Sequence, residues 1–179
     1  MDMNKVGPVG GRRGGTIWDE KGRDQVAGIY VSYSEDTVYS LQFLFYENGK
    51  LIQSDKHGGD RCENFYAVVF DYPSEFLTSL SGSYDDNAYS PVLQAIKFST
   101  SKGSYGPFGL VKPSSDAKYV ISSSAAKHFT FQIGNHRLFG GFHGTKTKYA
   151  VESIGIYVKP IISSIINLKD LRVKDEKDV

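Results

Sequence analysis

The chain has 179 residues, enough for one domain with a short extension, and 40% of them are apolar, enough for a packed core. A net charge of +1 excludes a broad electrostatic field that would attract nucleic acid or an anionic membrane surface. No stretch approaches the roughly 20 apolar residues of a membrane span. We therefore expect neither a nucleic-acid partner nor a membrane partner.

Cysteine usage and the first residues bear on the cellular compartment. The single cysteine, Cys62, cannot form a disulfide bond within the chain, as is typical of proteins in a reducing compartment. The first residues lack the apolar run of a secretory signal. We expect a cytoplasmic or nucleocytoplasmic protein.

Seven segments are rich in β-branched and aromatic residues and are separated by turn signals such as Asn48-Gly49. In chain order the predicted strands are 26–33, 39–46, 65–70, 76–84, 93–100, 127–133 and 153–158. No window in the body of the chain has a convincing helical period. The sequence therefore predicts an all-β sandwich, barrel or prism.

A short pattern occurs three times at nearly equal intervals, at residues 40–43, 95–98 and 153–156. Each copy has a small residue, a branched aliphatic residue, a variable position and a large apolar residue. Repetition at a fixed interval is typical of a fold built from similar units. The pattern indicates three such units.

Lys159-Pro160 ends the last predicted strand, because proline cannot donate a hydrogen bond to a sheet. We therefore place the domain at 1–160 and a partly disordered tail at 161–179. Four isoleucines lie between positions 161 and 166, and they would be an aggregation hazard if exposed. We expect this segment to pack on its own domain or against a partner.

Two glycine-rich segments lie at opposite ends of the chain. Residues 7–19 read Gly-Pro-x-Gly-Gly followed by Gly-Gly and Trp-Asp, and residues 139–155 contain Gly-Gly-Phe-His-Gly and Ser-Ile-Gly. Between them lie Tyr-Pro-Ser-Glu-Phe-Leu at 72–77 and Tyr-Gly-Pro-Phe-Gly at 105–109. In the order and spacing of these motifs the chain resembles plant jacalin-related lectins. The resemblance implies an all-β fold, a type I β-prism of three four-stranded antiparallel sheets with pseudo-threefold symmetry.

The resemblance also implies one sugar site shared by the two ends of the chain. In that family an N-terminal glycine donates its backbone N–H to the sugar, and a Gly-x-x-x-Asp loop adds two backbone N–H groups and a carboxylate. Such groups suit neighbouring hydroxyls, because a carboxylate accepts strong hydrogen bonds and backbone donors fix their direction. Carried over, the sugar-binding residues are Gly15, Tyr149, Ala150 and Glu152. Lys148 and Glu152 stand where the family has glycine and aspartate.

Two functions follow as alternatives. The first is a lectin that binds mannose- or glucose-type glycans weakly, since an uncleaved chain goes with mannose preference in that family. The second is a defence- or stress-related interaction protein that keeps the lectin fold with weak or no sugar binding. The replaced loop residues and the apolar tail favour the second alternative. Its partner would be another protein or a second copy of the chain, as a homo-oligomer.

Catalytic and metal chemistry find little support in the sequence. The four histidines show no metal-ligand spacing, and one cysteine cannot supply a thiolate cluster. Trp18 stands beside Asp19 at the start of a strand-like segment, where an indole is more often a core anchor than a sugar-stacking surface. We expect no catalytic residue, no cofactor and no metal site.

Overall fold

The structure is a computed structural model that describes residues 2–11, 14–86, 89–111 and 126–161. Within these ranges the chain forms thirteen β-strands and no helix. In chain order they are β1 (Asn4–Gly10), β2 (Thr16–Lys21), β3 (Gln25–Tyr33), β4 (Val38–Glu47), β5 (Lys50–Gln53), β6 (His57–Gly58), β7 (Asn64–Val69), β8 (Leu77–Asp85), β9 (Val92–Thr100), β10 (Ser104–Gly109), β11 (Lys127–Gln132), β12 (Phe139–Lys146) and β13 (Val151–Val158).

The strands form three antiparallel sheets. Sheet I has the order β1-β13-β12-β2 and joins the two ends of the chain. Sheet II has the order β5-β4-β3-β7, and sheet III has the order β10-β9-β8-β11. In sheet II the short strand β6 also pairs with β4, on the edge that β5 uses, so two short strands share one of four strand positions. The predicted β-prism of three four-stranded sheets is confirmed.

All seven predicted strands are present, with bounds within two residues of the prediction. The prediction missed β1, β2, β5, β6, β10 and β12. Three of these carry glycine or proline pairs, at Gly7-Pro8, Gly106-Pro107 and Gly140-Gly141, and such residues are depleted in strands. They form strands here because neighbouring strands supply the pairing, which local composition does not reveal.

The threefold repeat in the sequence is also a repeat in the structure. Its copies lie in β4, β9 and β13, which occupy the same position in their sheets. The branched aliphatic residues of the three copies are all fully buried: Leu41, Ile96 and Ile154. The large residues Phe43, Phe98 and Ile156 are buried beside them. These strands supply the centre of the core.

Each of the three central strands carries a β-bulge near its first residue, where the pairing register shifts. The extra residue is Tyr39 in β4, Gln94 in β9 and Glu152 in β13, and all three are buried. A bulge bends its strand and redirects a side chain, and bulges are frequent beside binding sites. We call the end of the prism where the three bulges lie the bulge end.

A glycine with positive φ approaches each bulge. A Cβ on Gly58 would lie 2.1 Å from the backbone oxygen of Tyr39, where no side chain fits. Gly109 and Gly10 approach the backbone oxygens of Gln94 and Glu152 in the same way. The glycine-rich segments of the sequence are therefore packing requirements of the prism as well as candidate site elements.

Trp18 lies in the core, as predicted, with 4% of its surface exposed. Its ring stacks on His57 with centroids 4.4 Å apart. The parts of the chain described above include no helix long and apolar enough to cross a membrane. Of the predicted tail only Ile161 is described, and residues 162–179 lie outside the described ranges.

Candidate functional site

Gly15 and Glu152, predicted from opposite ends of the chain, lie together at the bulge end. A Cβ on Gly15 would lie 2.2 Å from Oε2 of Glu152 and 2.8 Å from the backbone oxygen of Lys146. Only glycine fits at this position, so its backbone lies directly against the carboxylate. Sequence reasoning placed Glu152 in a loop; it is instead the bulge residue of β13.

The side chain of Glu152 is almost fully buried, with 1% of its surface exposed. The bulge explains this placement: Thr145 pairs with Ser153 and Lys146 pairs with Val151, which leaves Glu152 as the extra residue. Glu152 lines two cavities, a groove of about 990 Å³ and a smaller cavity of about 310 Å³ that Gly15 also lines. The carboxylate therefore lies at the floor of the site.

The predicted sugar loop is the tip of the β12–β13 hairpin. The backbone N–H of Thr147 donates to the oxygen of Ala150 at 3.0 Å, which leaves Lys148 and Tyr149 as the two tip residues. Tyr149 is 68% exposed, and the Lys148 ammonium lies 4.9 Å from the centre of its ring. Among the described non-glycine residues only Asn48 and Arg137 have positive φ. Lys148, which the resemblance aligns with a glycine, therefore adopts its backbone conformation without positive φ.

Thr147 contacts the two backbone donors that the resemblance assigns to a sugar. The N–H groups of Tyr149 and Ala150 each donate to Thr147 Oγ1 at 3.2 Å. Sequence reasoning did not single out Thr147. A threonine beside a two-residue turn is a recognisable signal, since its hydroxyl often accepts from backbone N–H groups of the turn. The loop thus satisfies its own donors.

The larger groove at the bulge end is bounded by loops from all three sheets. Tyr89, between β8 and β9, is 83% exposed and offers a second aromatic surface beside that of Tyr149. Glu35, Asp36 and Arg61 add charged groups to the lining. Exposed rings and charged polar groups in a concave surface suit a polar ligand with some apolar area. The sequence prediction did not include Tyr89.

Histidines have structural roles near the site. His143 is buried and its Nε2–H donates to the oxygen of Val6 at 2.9 Å. Burial lowers the pKa of His143, which keeps the ring neutral. Its ring covers Gly155, where a Cβ would lie 2.4 Å from His143 Cε1. Within the described part of the chain, no group of three or more His, Cys, Asp or Glu side chains is placed to hold a metal ion.

Three sheets around a pseudo-threefold axis, with a glycine loop against a carboxylate at one end, define a β-prism domain of the lectin type. The chain matches the Jacalin-like lectin domain over residues 6–157. It belongs to this family, as its sequence motifs predict.

Relatives from Arabidopsis thaliana are similar over most of their length. Protein RESTRICTED TEV MOVEMENT 1 is 36% identical over 162 residues, which cover 87% of each chain. Jacalin-related lectin 2 is 32% identical over 165 residues, which cover 88% of this chain and 87% of the relative. The relatives of this chain thus include a protein named as a lectin and a protein named for restricted TEV movement.

Solved lectin structures share the fold. A mannose-specific jacalin-related lectin from Morus nigra in complex with mannose has a TM-score of 0.73 and 25% identity, covering 89% of this chain and 96% of that one. The mannose-binding lectin from champedak has a TM-score of 0.72 and 27% identity, covering 89% of this chain and 99% of its own. The sheet arrangement is therefore common to this chain and to mannose-binding proteins.

Proposed function

We propose that this protein is a non-catalytic lectin that binds mannose- or glucose-type glycans weakly at the bulge end. The observation that carries the proposal is the position of Gly15 against the carboxylate of Glu152. A fixed backbone donor beside a charged acceptor suits two neighbouring hydroxyls of one sugar ring. The fold shared with the mannose-specific Morus nigra lectin supports the same ligand class.

Weak binding follows from the contacts of the loop. Ligand hydroxyls that use the N–H groups of Tyr149 and Ala150 must displace Thr147 Oγ1. Exchanging one hydrogen bond for another has a small net free energy. With few remaining contacts on an exposed surface, the dissociation constant is expected to be on the order of millimolar.

A second candidate is a defence- or stress-related interaction protein that keeps the lectin fold with weak or no sugar binding. The bonds to Thr147 favour it, because the loop donors are satisfied without a ligand. So does the similarity to Protein RESTRICTED TEV MOVEMENT 1, a name that refers to restricted TEV movement rather than to a sugar. In this case the partner is another protein or a second copy of the chain.

A cytoplasmic or nucleocytoplasmic location is part of the proposal. Cys62 is exposed and forms no disulfide in the described chain. An exposed thiol persists best where the compartment is reducing. Labelling of Cys62 in intact cells with a membrane-permeant maleimide tests whether the thiol is reduced there, and we expect it to be labelled.

The substitution Thr147→Val is expected to strengthen sugar binding roughly fivefold, because the N–H groups of Tyr149 and Ala150 lose their shared competing acceptor, a net gain of about 1 kcal/mol. Valine keeps the shape of threonine and loses only the hydroxyl. The measurement is calorimetric titration with methyl α-mannoside. Thr130→Val is the matched control, since Thr130 is exposed on β11 of sheet III and its substitution should leave affinity unchanged.

The same titration separates the two candidate functions. Binding by the parent that tightens in Thr147→Val supports the lectin. If neither protein binds the sugar although both are folded, the second candidate replaces the first.

A further inference from the structure

One edge strand of the prism lacks the features that usually keep the edge of a sheet from pairing with another chain. Natural sheets protect exposed edges with charged side chains, proline or very short strands. The two-residue strand β6 is short, and the other edge strands of the described ranges, β7 excepted, carry a protecting residue: Pro8 in β1, Lys21 in β2, Lys50 in β5, Pro107 in β10 and Lys127 in β11. β7 is six residues long and contains neither a charged residue nor proline.

β7 also exposes more apolar surface than any other described strand. Three of the ten large exposed apolar side chains lie on it: Phe65 at 58%, Tyr66 at 47% and Val69 at 64%. No other strand of the described ranges carries more than one of the ten. Ala67, between them, is exposed as well. A long apolar edge of this kind is typical of a strand that pairs with another chain.

The backbone of β7 presents hydrogen-bonding groups on its free side. Within the described residues β7 pairs only with β3. The N–H of Phe70 donates to the oxygen of Ala27 at 2.9 Å, so Phe70 and every second residue before it face β3. Phe65, Ala67 and Val69 therefore turn their N–H and C=O groups toward the free edge. Another strand laid along this edge would satisfy these groups.

The order of side chains along β7 is self-complementary about Ala67. In an antiparallel copy with Ala67 opposite Ala67, Phe65 lies opposite Val69 on both sides of the centre. The exposed apolar side chains of the outer face thus contact each other, and no charged residue of the strand meets a like charge. In the same register the three residues that face the free edge of each copy can form about six backbone hydrogen bonds between them. A second copy of the chain therefore fits this edge.

We propose that β7 pairs with β7 of a second copy, antiparallel and with a two-fold axis at Ala67. The two copies of sheet II then form one continuous sheet. Six-residue strands bury little area, so the dimer is weak, with a dissociation constant on the order of 10 μM. Sugar binding is not required for this contact.

The dimer has a defined arrangement of its two bulge ends. Asn64, the first residue of β7, lines the larger groove at the bulge end. Because the paired strands run antiparallel, the two grooves lie at opposite ends of the dimer. In a lectin, such a dimer presents two sites that face away from each other, which suits the bridging of two glycans.

The first test is the mass of the full-length parent by sedimentation equilibrium between about 1 and 200 μM, where the monomer should give way to the dimer. Ala67→Lys places two ammonium groups opposite each other at the axis and should weaken the dimer at least about tenfold. Thr130→Lys is the matched control, since Thr130 is exposed on β11, an edge strand of sheet III. It should form the dimer as the parent does.

A second test reports on the register and does not depend on the lysine variant. In a Cys62→Ser chain, Ala67→Cys places two thiols at the axis. The Cα atoms of such a pair are about 5.5 Å apart, within the range of a disulfide. A mild oxidant should therefore link Ala67→Cys chains at least about tenfold faster than Thr130→Cys chains of the same background.

Three results would overturn the proposed pairing: a parent that stays monomeric over the whole concentration range, a dimer that Ala67→Lys does not weaken, or equal disulfide rates for the two cysteine variants. If the parent is monomeric, alkylation of Ala67→Cys identifies what replaces the second copy. Slow alkylation would show that another part of the same chain covers the edge, and fast alkylation would leave the edge free for a different protein. Either outcome excludes the dimer.

Discussion

The substitution Glu20→Ala is expected to lower the free energy of unfolding by roughly 3–5 kcal/mol, the usual cost of removing one partner from a buried charged cluster. Glu20 is 6% exposed and lies between sheets I and II. Its Oε1 lies 2.7 Å from His57 Nε2, and its Oε2 accepts from Arg23 at 2.6 and 3.0 Å. Arg23 also donates to Glu47. Without Glu20, Arg23 and His57 lose the acceptor that holds them between the sheets.

The same cluster makes stability depend on pH in a defined direction. Burial raises the pKa of Glu20, but hydrogen bonds from His57 and Arg23 outweigh burial and hold the pKa below its ordinary value of 4.5. The stabilisation is therefore complete above pH 4.5 and is lost as the pH falls through the lower folded value. Denaturant titrations between pH 7 and pH 3 should show this loss in the parent and a flatter profile in Glu20→Gln.

Asp60→Ala is the control for the Glu20 variants. Asp60 also forms an ion pair, with Lys56, but its side chain is 95% exposed. Solvent screens such a pair, so the denaturant midpoint should stay close to that of the parent. A Glu20→Ala protein as stable as Asp60→Ala would show that the cluster does not hold sheets I and II together.

The second large effect is on binding: Glu152→Gln is expected to reduce sugar affinity at least about tenfold, because a hydrogen bond to a charged acceptor is worth roughly 1.5–3 kcal/mol. Glutamine keeps the volume of this buried side chain, so the bulge of β13 should persist. Affinity is measured by calorimetric titration with methyl α-mannoside, and circular dichroism verifies the fold.

Cys62→Ala is the matched control for Glu152→Gln, since Cys62 is exposed and lies outside both cavities that Glu152 lines. It should bind as the parent does. Binding that survives Glu152→Gln would place the ligand away from this carboxylate, and the part of the larger groove lined by Tyr89 and Arg61 would be the next surface to examine.

The sequence predicted the fold well where local pattern and packing agree. The central strands β4, β9 and β13 are rich in branched and aromatic residues, and their repeat is visible in the chain. The edge strands β1 and β10 are held by pairing with neighbours distant in sequence, which no local window contains. Glycines in these strands are typical of turns in a local sequence pattern. In the structure Gly10 and Gly109 instead lie in strands, where the backbone of a neighbouring strand leaves no room for a side chain.

The sequence named candidate site residues, and whether they bind sugar stays a prediction; it did not predict their geometry. The resemblance pointed to Gly15 and the segment 148–152, and in the structure Gly15 lies against the carboxylate of Glu152. The burial of Glu152 depends on a register shift between β12 and β13, which the sequence does not display. The bonds from Thr147 depend on where the hairpin turns, and a motif alignment does not fix that point.

The most direct test of the proposed lectin site is an amide chemical-shift titration of the full-length parent with methyl α-mannoside. We expect saturable shifts centred on the N–H groups of Gly15, Tyr149 and Ala150, with a dissociation constant on the order of millimolar. Shifts confined to another surface, or none at these three amides under saturating sugar, would contradict it.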